Sequence, residues 1–320
     1  MMLLQDSDPA TQRFNAMNRA PHALHECRTA EEFCQCFQAS TGRSVVEVTD
    51  EVVGSTTARA IFLVGSLPLG MATPGSDIDL IVLVDDRTPV QLCGQGTNTD
   101  QRLAFSNESD PLRVGEFLSI VNGILVDVMV VVAPAIKGIY ARLRSKGPEL
   151  GEHEILTLGR LSTGWLLWQS AEYVERNALR LKDSALDVYC CTRHFVSALH
   201  SLQKGRKAVD VRDIALALHL GRASVEAAYL AYFASEGFSY LGAKWLAQVG
   251  HARGAAERVK EYPLLQEGIR TLFPDYTSDL GEATKYLATV AEFLTALRVL
   301  IERKTLFRIA FNACPQIHSL

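Results

Sequence analysis

The sequence has no apolar stretch long enough to cross a bilayer. Its longest run, ILVDVMVVVAPAI at 124–136, is interrupted by Asp127, and a membrane-spanning helix needs ~20 apolar residues. It has no basic excess either. Thirty-two Lys and Arg against 36 Asp and Glu give a net charge of −4, which disfavours a general grip on a nucleic acid backbone. Seven cysteines scattered over the chain make no even framework, so disulfides are not expected and a reducing compartment is. The start, MMLLQDSDPA, lacks a basic region and meets Asp6 after four apolar residues, unlike a secretory signal. There is no internal repeat and no low-complexity tract. These absences lead us to expect a soluble, cytoplasmic protein without a membrane partner.

What is present is ordinary globular material. The apolar residues AVILMFWYC make up 48% and the charged residues 21% of 320 residues, enough for two domains. The first ~30 residues lack periodicity and are expected to be loosely ordered. Thr29 then precedes AEEFCQCFQAS, a helix capped by the Thr hydroxyl. ARAIFLV (58–64) and DLIVLVDD (79–86) read as buried strands. The polar stretch 87–111 reads as a long surface loop. Asn122-Gly123 between apolar runs predicts a hairpin of 114–121 with 124–132.

The character changes after Pro134. Residues 137–151 read as a helix ending in a Gly-Pro linker. Segments 152–181, 184–203, 211–235, 239–250 and 283–310 carry apolar residues at helical spacing. Leu287, Val290, Leu294, Leu297 and Ile301 recur in a seven-residue pattern, a core stripe or, alternatively, a homodimer seam. The expected fold is α+β: a small mixed β-sheet domain over 1–148, then an all-α helical bundle over 149–320.

The chemistry concentrates in IFLVGSLPLGMATPGSDIDLI (61–81). Gly65-Ser66 ends one strand, and Asp77-Ile78-Asp79 begins the next. Strand alternation puts both carboxylates on one face, ~6–7 Å apart. Carboxylates so placed repel, and a divalent cation such as Mg²⁺ relieves that conflict when phosphate oxygens complete its shell. Asp127 stands in an otherwise apolar strand, where a charge costs several kcal/mol unless it is paired or metal-bound. A strand beside 79–84 makes it the third carboxylate. Gly65 allows a sharp turn and close approach, and a helix starting there attracts phosphate. Ser66 and Ser76 offer hydroxyl contacts. Together these features describe in-line attack on a nucleotide phosphorus.

Gly65-Ser66, ten intervening residues and Asp77-Ile78-Asp79-Leu80 resemble the signature of the polymerase-β-like nucleotidyltransferases, with Asp127 where that family has its third carboxylate. The likeness covers ~58–132, and PGSDIDLIV is most similar to the antibiotic and minimal nucleotidyltransferase branch with a helical C-terminal domain. The resemblance implies that Asp77 and Asp79 bind two Mg²⁺ ions and through them the triphosphate. It also implies that Asp127 binds the catalytic metal and takes the acceptor hydroxyl's proton. It further implies transfer of a nucleoside monophosphate, AMP from ATP, onto a small molecule such as an antibiotic or a natural-product intermediate, with release of pyrophosphate. A protein acceptor, as in antitoxin-type members, is the alternative.

Further candidates are weaker. Lys204, Arg206 and Lys207 in QKGRKAVD read as a basic loop that could hold the triphosphate, with Lys137 and Arg144 next. Arg193 and His200 share a helix face at a spacing close to that of nuclease-like helical domains. Trp165, Trp168 and Tyr173 read as a helix wall of a pocket or as core. Glu152, Glu154, Glu172, Glu175, Asp183 and Asp187 are candidates to recognise a cationic acceptor in a cleft between the domains. His22, His25, Cys27, Cys34 and Cys36 fit no zinc pattern and read as buried thiols and unligated histidines.

Overall fold

The structure is a computed structural model that describes residues 24–53, 58–85, 103–106, 112–144, 150–171, 184–239 and 278–319. The expectations for the N-terminal residues before Leu24, for most of 87–111, for the helix at 239–250, and for His22, Glu172, Tyr173, Glu175 and Asp183 lie outside them. By its contacts the chain divides into two compact units, Met1–Arg142 with Arg160–Leu181, and Leu143–Gly159 with Lys182–Leu320. In this division the described residues 160–171 group with the sheet.

The first unit opens with two helices whose termini are written locally. Helix α1 (Ala30–Thr41) starts at Thr29, whose hydroxyl accepts from the Glu32 N–H at 3.1 Å, and stops at Gly42 in the left-handed region. It buries Phe33 and Phe37, stacked at 5.8 Å between ring centres. Helix α2 (Val45–Val53) begins with a reciprocal cap. The Glu47 N–H donates to Ser44 Oγ, and Ser44 N–H donates to Glu47 Oε2, satisfying two otherwise orphaned donors.

Six strands form one mixed sheet: β1 (Ala58–Val64), β2 (Ile78–Val84), β3 (Leu103–Ser106), β4 (Arg113–Val121), β5 (Ile124–Val132) and β6 (Trp165–Gln169), in the order β3-β4-β5-β2-β1-β6. Only β2 and β5 run parallel; the other neighbours are antiparallel. β2 and β5 are central, and most of their residues are buried, which is why they read as near-continuous apolar runs. The β4–β5 hairpin turns on Asn122 and Gly123 at φ 51° and 83°, the double positive φ that a type I′ turn requires. One face of the sheet packs on α1 and α2, with Phe33, Phe37, Val45 and Val48 against Leu63, Ile78, Leu80, Val126 and Val128.

Helix α3 (Ala133–Arg144) follows β5 directly, and α4 (Glu152–Thr163) follows α3. The expected helix over 152–181 stops at Thr163, and WLLWQ pairs with β1 as β6. A run of four apolar residues has no period that separates a strand from a helix. The aromatic residues favour the strand, and Gly164 lets it in: a Cβ there would lie 2.8 Å from the Leu63 carbonyl oxygen. Trp165 and Trp168 therefore sit in a strand, not a helix, and pack on the sheet unit's core.

The second unit contains α5 (Ser184–Asp210), α6 (Ile214–Ser235), α7 (Leu280–Glu302) and α8 (Thr305–Asn312). Leu287, Val290, Leu294, Leu297 and Ile301 are all buried within the single chain, so the heptad is a core stripe. Phe195 meets Phe311 at 5.0 Å and Tyr229 meets Phe293 at 5.4 Å between ring centres. The expected helix 283–310 breaks at Arg303-Lys304. Lys304 Nζ donates to the Ser235 carbonyl at 2.6 Å and to Glu236 Oε1 at 2.7 Å, so it closes the end of α6 instead of continuing its own helix. No helix among the described residues is long and apolar enough to cross a membrane.

Candidate functional site

The sheet brings the acidic residues together through register. β2 and β5 pair Asp79 with Asp127, β1 pairs Val64 with Asp79, and β4 pairs Leu118 with Asp127. One row thus reads Leu118, Asp127, Asp79, Val64 across four strands. Opposed residues of neighbouring strands share a face, so both carboxylates stand on the same side. Asp77 lies one residue before β2 and is exposed, not inside the strand as expected.

Gly65 follows Val64 at φ +79°, and a Cβ on it would sit 2.1 Å from Asp79 Oδ2. The missing side chain is the space that the carboxylate occupies. Residues 65–70 form turns rather than the start of a helix, with Met71 N–H donating to the Ser66 carbonyl at 2.9 Å. Ser66 is buried. Ser76 closes the next turn: its Oγ accepts from Thr73 N–H, and its own N–H donates to the Thr73 carbonyl, both at 2.9 Å. Both serines therefore shape the backbone that delivers Asp77.

Asp127 is the perturbed group. Its Oδ1 is buried and has no hydrogen-bond partner. Burial first, then the charges of Glu116, Asp79 and Asp77, push its pKa up to about 7, while Arg160 pulls the other way. A buried acceptor without a partner costs about 1–3 kcal/mol, and a perturbed group of this kind is a candidate functional residue.

Two residues here escaped the sequence reading. Glu116 on β4 stands opposite Met129, two residues from the Leu118–Asp127 pair and on the same face. Counting back from the Asn122-Gly123 turn would have placed it there. Arg160 in α4 has its Nη2 3.8 Å from Asp79 Oδ1, both side chains being 14% exposed. Nothing in EHEILTLGRLST singles it out.

The other candidates sit on other elements. Lys204, Arg206 and Lys207 lie in the last turns of α5, a helix and not a loop, and are exposed. Lys137 is exposed on α3, and Arg144 ends that helix. Arg193 Nη1 donates to the Leu150 carbonyl at 2.9 Å, and His200 is exposed on the same helix. Glu154 accepts from the Gly151 N–H at 2.9 Å, and Asp187 accepts from the Ser239 hydroxyl. Cys27 and Cys36 are hydrogen-bonded thiols, and there is no disulfide among the described residues.

The donor set is all oxygen, the type that hard divalent cations take. Among the described residues, no three His, Cys, Asp or Glu side chains form a cation cage by themselves. The pair Asp79 and Asp127, with the orphaned Oδ1, fits a cation whose remaining ligands come from a phosphate.

Residues 51–141 match the model of a family described as nucleotidyltransferase domain. Among solved structures, a nucleotidyltransferase-like protein from Exiguobacterium sibiricum is similar at 14% identity and a TM-score of 0.40, covering 82% of this chain and 77% of that one. No curated protein matches the chain.

Proposed function

From the premise that this chain carries a nucleotidyltransferase domain of the polymerase-β-like superfamily, we propose that it moves AMP from ATP onto a hydroxyl of a small molecule and releases pyrophosphate. The acceptor oxygen bonds to the α-phosphorus as the bond from that phosphorus to the β-bridging oxygen breaks. The observation that carries this reading is the row Asp79–Asp127, closed by Gly65 and holding a buried carboxylate oxygen without a partner. Asp77, Asp79 and Asp127 bind Mg²⁺, which polarises the phosphate and the acceptor oxygen when present. Asp127 takes the acceptor's proton at Oδ1. The turns 65–70 and 73–76 hold the phosphates at Gly65, Ser66 and Ser76, and Lys204 and Arg206 are the remaining basic candidates from the sequence.

A small acceptor suits the proportions of the chain. The second unit, Leu143–Gly159 with Lys182–Leu320, lies wholly outside the matched residues 51–141, and acceptor positioning is worth ~7–11 kcal/mol of a barrier. The test is incubation of the protein with each labelled nucleoside triphosphate, Mg²⁺ and a metabolite extract. A labelled small molecule supports the proposal. A labelled protein moves the acceptor to the protein class, and an extended RNA or no label at all refutes it.

A further inference from the structure

The row Leu118, Asp127, Asp79, Val64 has two unlike flanks on the carboxylate face. On one side β4 and β5 present Glu116 opposite Met129; on the other, toward the hairpin turn, they present Ile120 opposite Leu125. Ile120 and Leu125 are 39% and 42% exposed. Singly exposed aliphatic residues are ordinary on a protein surface, but these two are cross-strand partners, and Leu125 borders a cavity. That cavity, of about 160 Å³, is lined by Leu67, Ala72, Ile78, Ile124 and Leu125, with His25, Thr73 and Ser76 supplying its polar part. Ile78 and Ile124 reach it from the face packed on α1 and α2, and Leu125 from the carboxylate face. Ser76 and Ile78 flank Asp77 in the chain, so the cavity ends beside an acid of the site. Its rim is braced, because Asn122 Nδ2 in the hairpin turn donates to the Ser40 carbonyl in α1 at 2.9 Å. An apolar cavity of about 150 Å³ accepts a benzene ring.

We propose that this cavity and the Ile120–Leu125 pair form the acceptor's subsite, and that the acceptor is a neutral molecule carrying one apolar ring a few bonds from its reacting hydroxyl. The proposal rests on the nucleotidyl-transfer reading above and narrows its acceptor from any small molecule to this class. The sheet order β4-β5-β2-β1 puts the two substrates on opposite sides of the acids. Gly65 and Ser66 follow β1, so the phosphates they hold lie on the β1 side; Asp127, which takes the acceptor's proton, stands on β5 beside β4. The Ile120–Leu125 pair is the next row on that face, ~6–7 Å along the strand from Asp127, a separation that a hydroxyl and a ring a few bonds apart can span. Among the described residues no Asp or Glu lines the cavity. A polycation would find no counter-charge there and would leave its ammonium groups desolvated, whereas an apolar ring loses only water-exposed surface.

The test compares the full wild-type chain with two variants. Ile120→Thr/Leu125→Thr keeps strand-favouring residues at an exposed pair, and Ala72→Phe fills the cavity from its wall. Melting temperature checks each fold, and either variant suffices if the other does not fold. Side-chain methyl resonances are followed as 2-phenylethanol, a neutral ring with a hydroxyl, is added, with glucosamine as the cationic control. The wild-type methyls of Ile78, Ile124 and Leu125 should shift saturably with 2-phenylethanol and not with glucosamine, and the variants should bind it about tenfold more weakly. Transfer is then measured with labelled ATP, Mg²⁺ and a metabolite extract, diluting ATP and extract separately. If the wild type labels nothing, the nucleotidyl-transfer reading fails and the acceptor assignment with it, whatever the methyls show. If it labels a small molecule, that product should be retained on a reversed-phase column beyond AMP. The variants should then raise the apparent KM for the extract about tenfold and leave that for ATP unchanged. Methyls that do not saturate, a polar amine-rich product, label on a protein, an unchanged KM for the extract, or a raised KM for ATP overturns the proposal.

Discussion

Asp127→Asn should stabilise the nucleotide-free protein while destroying its activity. The native pKa of Asp127 is raised from 3.8 to about 7. The native state therefore keeps a proton between roughly pH 4 and 7 that the unfolded chain has lost. Stability must then fall as pH rises through that window and stay reduced above it. Three units at 1.36 kcal/mol each set an upper bound of ~4 kcal/mol, and halving it for partial access to solvent leaves about 2 kcal/mol. Asn carries no charge, so the variant should lose this pH dependence. At pH 8 in EDTA it should melt about 4–8 °C above the wild type if the sheet unit unfolds as one transition. His194 runs the other way. Burial, then Arg193, lowers its pKa to about 4, so its contribution is full above pH 6.5 and is lost as pH falls toward 4. Only the difference between the two proteins isolates Asp127. The assay is scanning calorimetry from pH 5 to 8.5, with nucleotide transfer measured on the same samples. A variant that melts at or below the wild type at pH 8, or that keeps its slope, refutes the reasoning about burial. Turnover reduced by less than ~10²-fold refutes the catalytic role.

Gly65→Ala places a methyl 2.1 Å from Asp79 Oδ2 at φ +79°, so it should displace that carboxylate and cut transfer by ~10²-fold or more, with circular dichroism unchanged. Because the described acids make no cage unaided, Mg²⁺ and ATP should each raise the other's affinity, by ~5–150-fold for a coupling of ordinary size; equal ATP affinity with and without Mg²⁺ in calorimetry would count against the site. In the helical unit, Gly221→Ala puts a methyl 2.4 Å from Tyr286 Cε1 and 3.0 Å from Leu287 Cδ2. It should cost ~1–3 kcal/mol, read as a lower denaturation midpoint with transfer chemistry intact at low temperature.

How much of this was legible in the sequence differs element by element. The hairpin was, because Asn-Gly between apolar runs admits few other conformations, and its register then places Asp127 opposite Leu118. Strand β2 and the acidic pair were legible from a run of apolar residues interrupted by charge. β6 was not, since four apolar residues carry no period and its partner, β1, lies ~100 positions away, where only tertiary pairing decides. The basic segment around Lys204 looked like a loop because Gly205 interrupts it. Gly205 lies inside the helix for a packing reason: a Cβ there would lie 3.2 Å from Leu287 Cδ2. Arg160 could not be found at all, because its meaning depends on which carboxylate the end of α4 reaches.

The residues that were legible have something physical in common. Local rules hold almost everywhere in the sheet unit: capped helix starts, apolar strands, a type I′ turn. They fail at a left-handed glycine ending β1, at a carboxylate entering a buried strand, and at a second carboxylate inside another. These exceptions are not scattered. Val64, which precedes Gly65, pairs with Asp79, and Asp79 pairs with Asp127, so all of them fall on one row across three adjacent strands. A fold tolerates buried charge where something compensates it, and independent defects would fall on unrelated rows. Their coincidence on one row argues for one shared cause, a ligand that needs oxygen donors and close backbone approach at the same place. Asp127 Oδ1, buried and without a hydrogen-bond partner among the described residues, is left only partly compensated by the charge of Arg160.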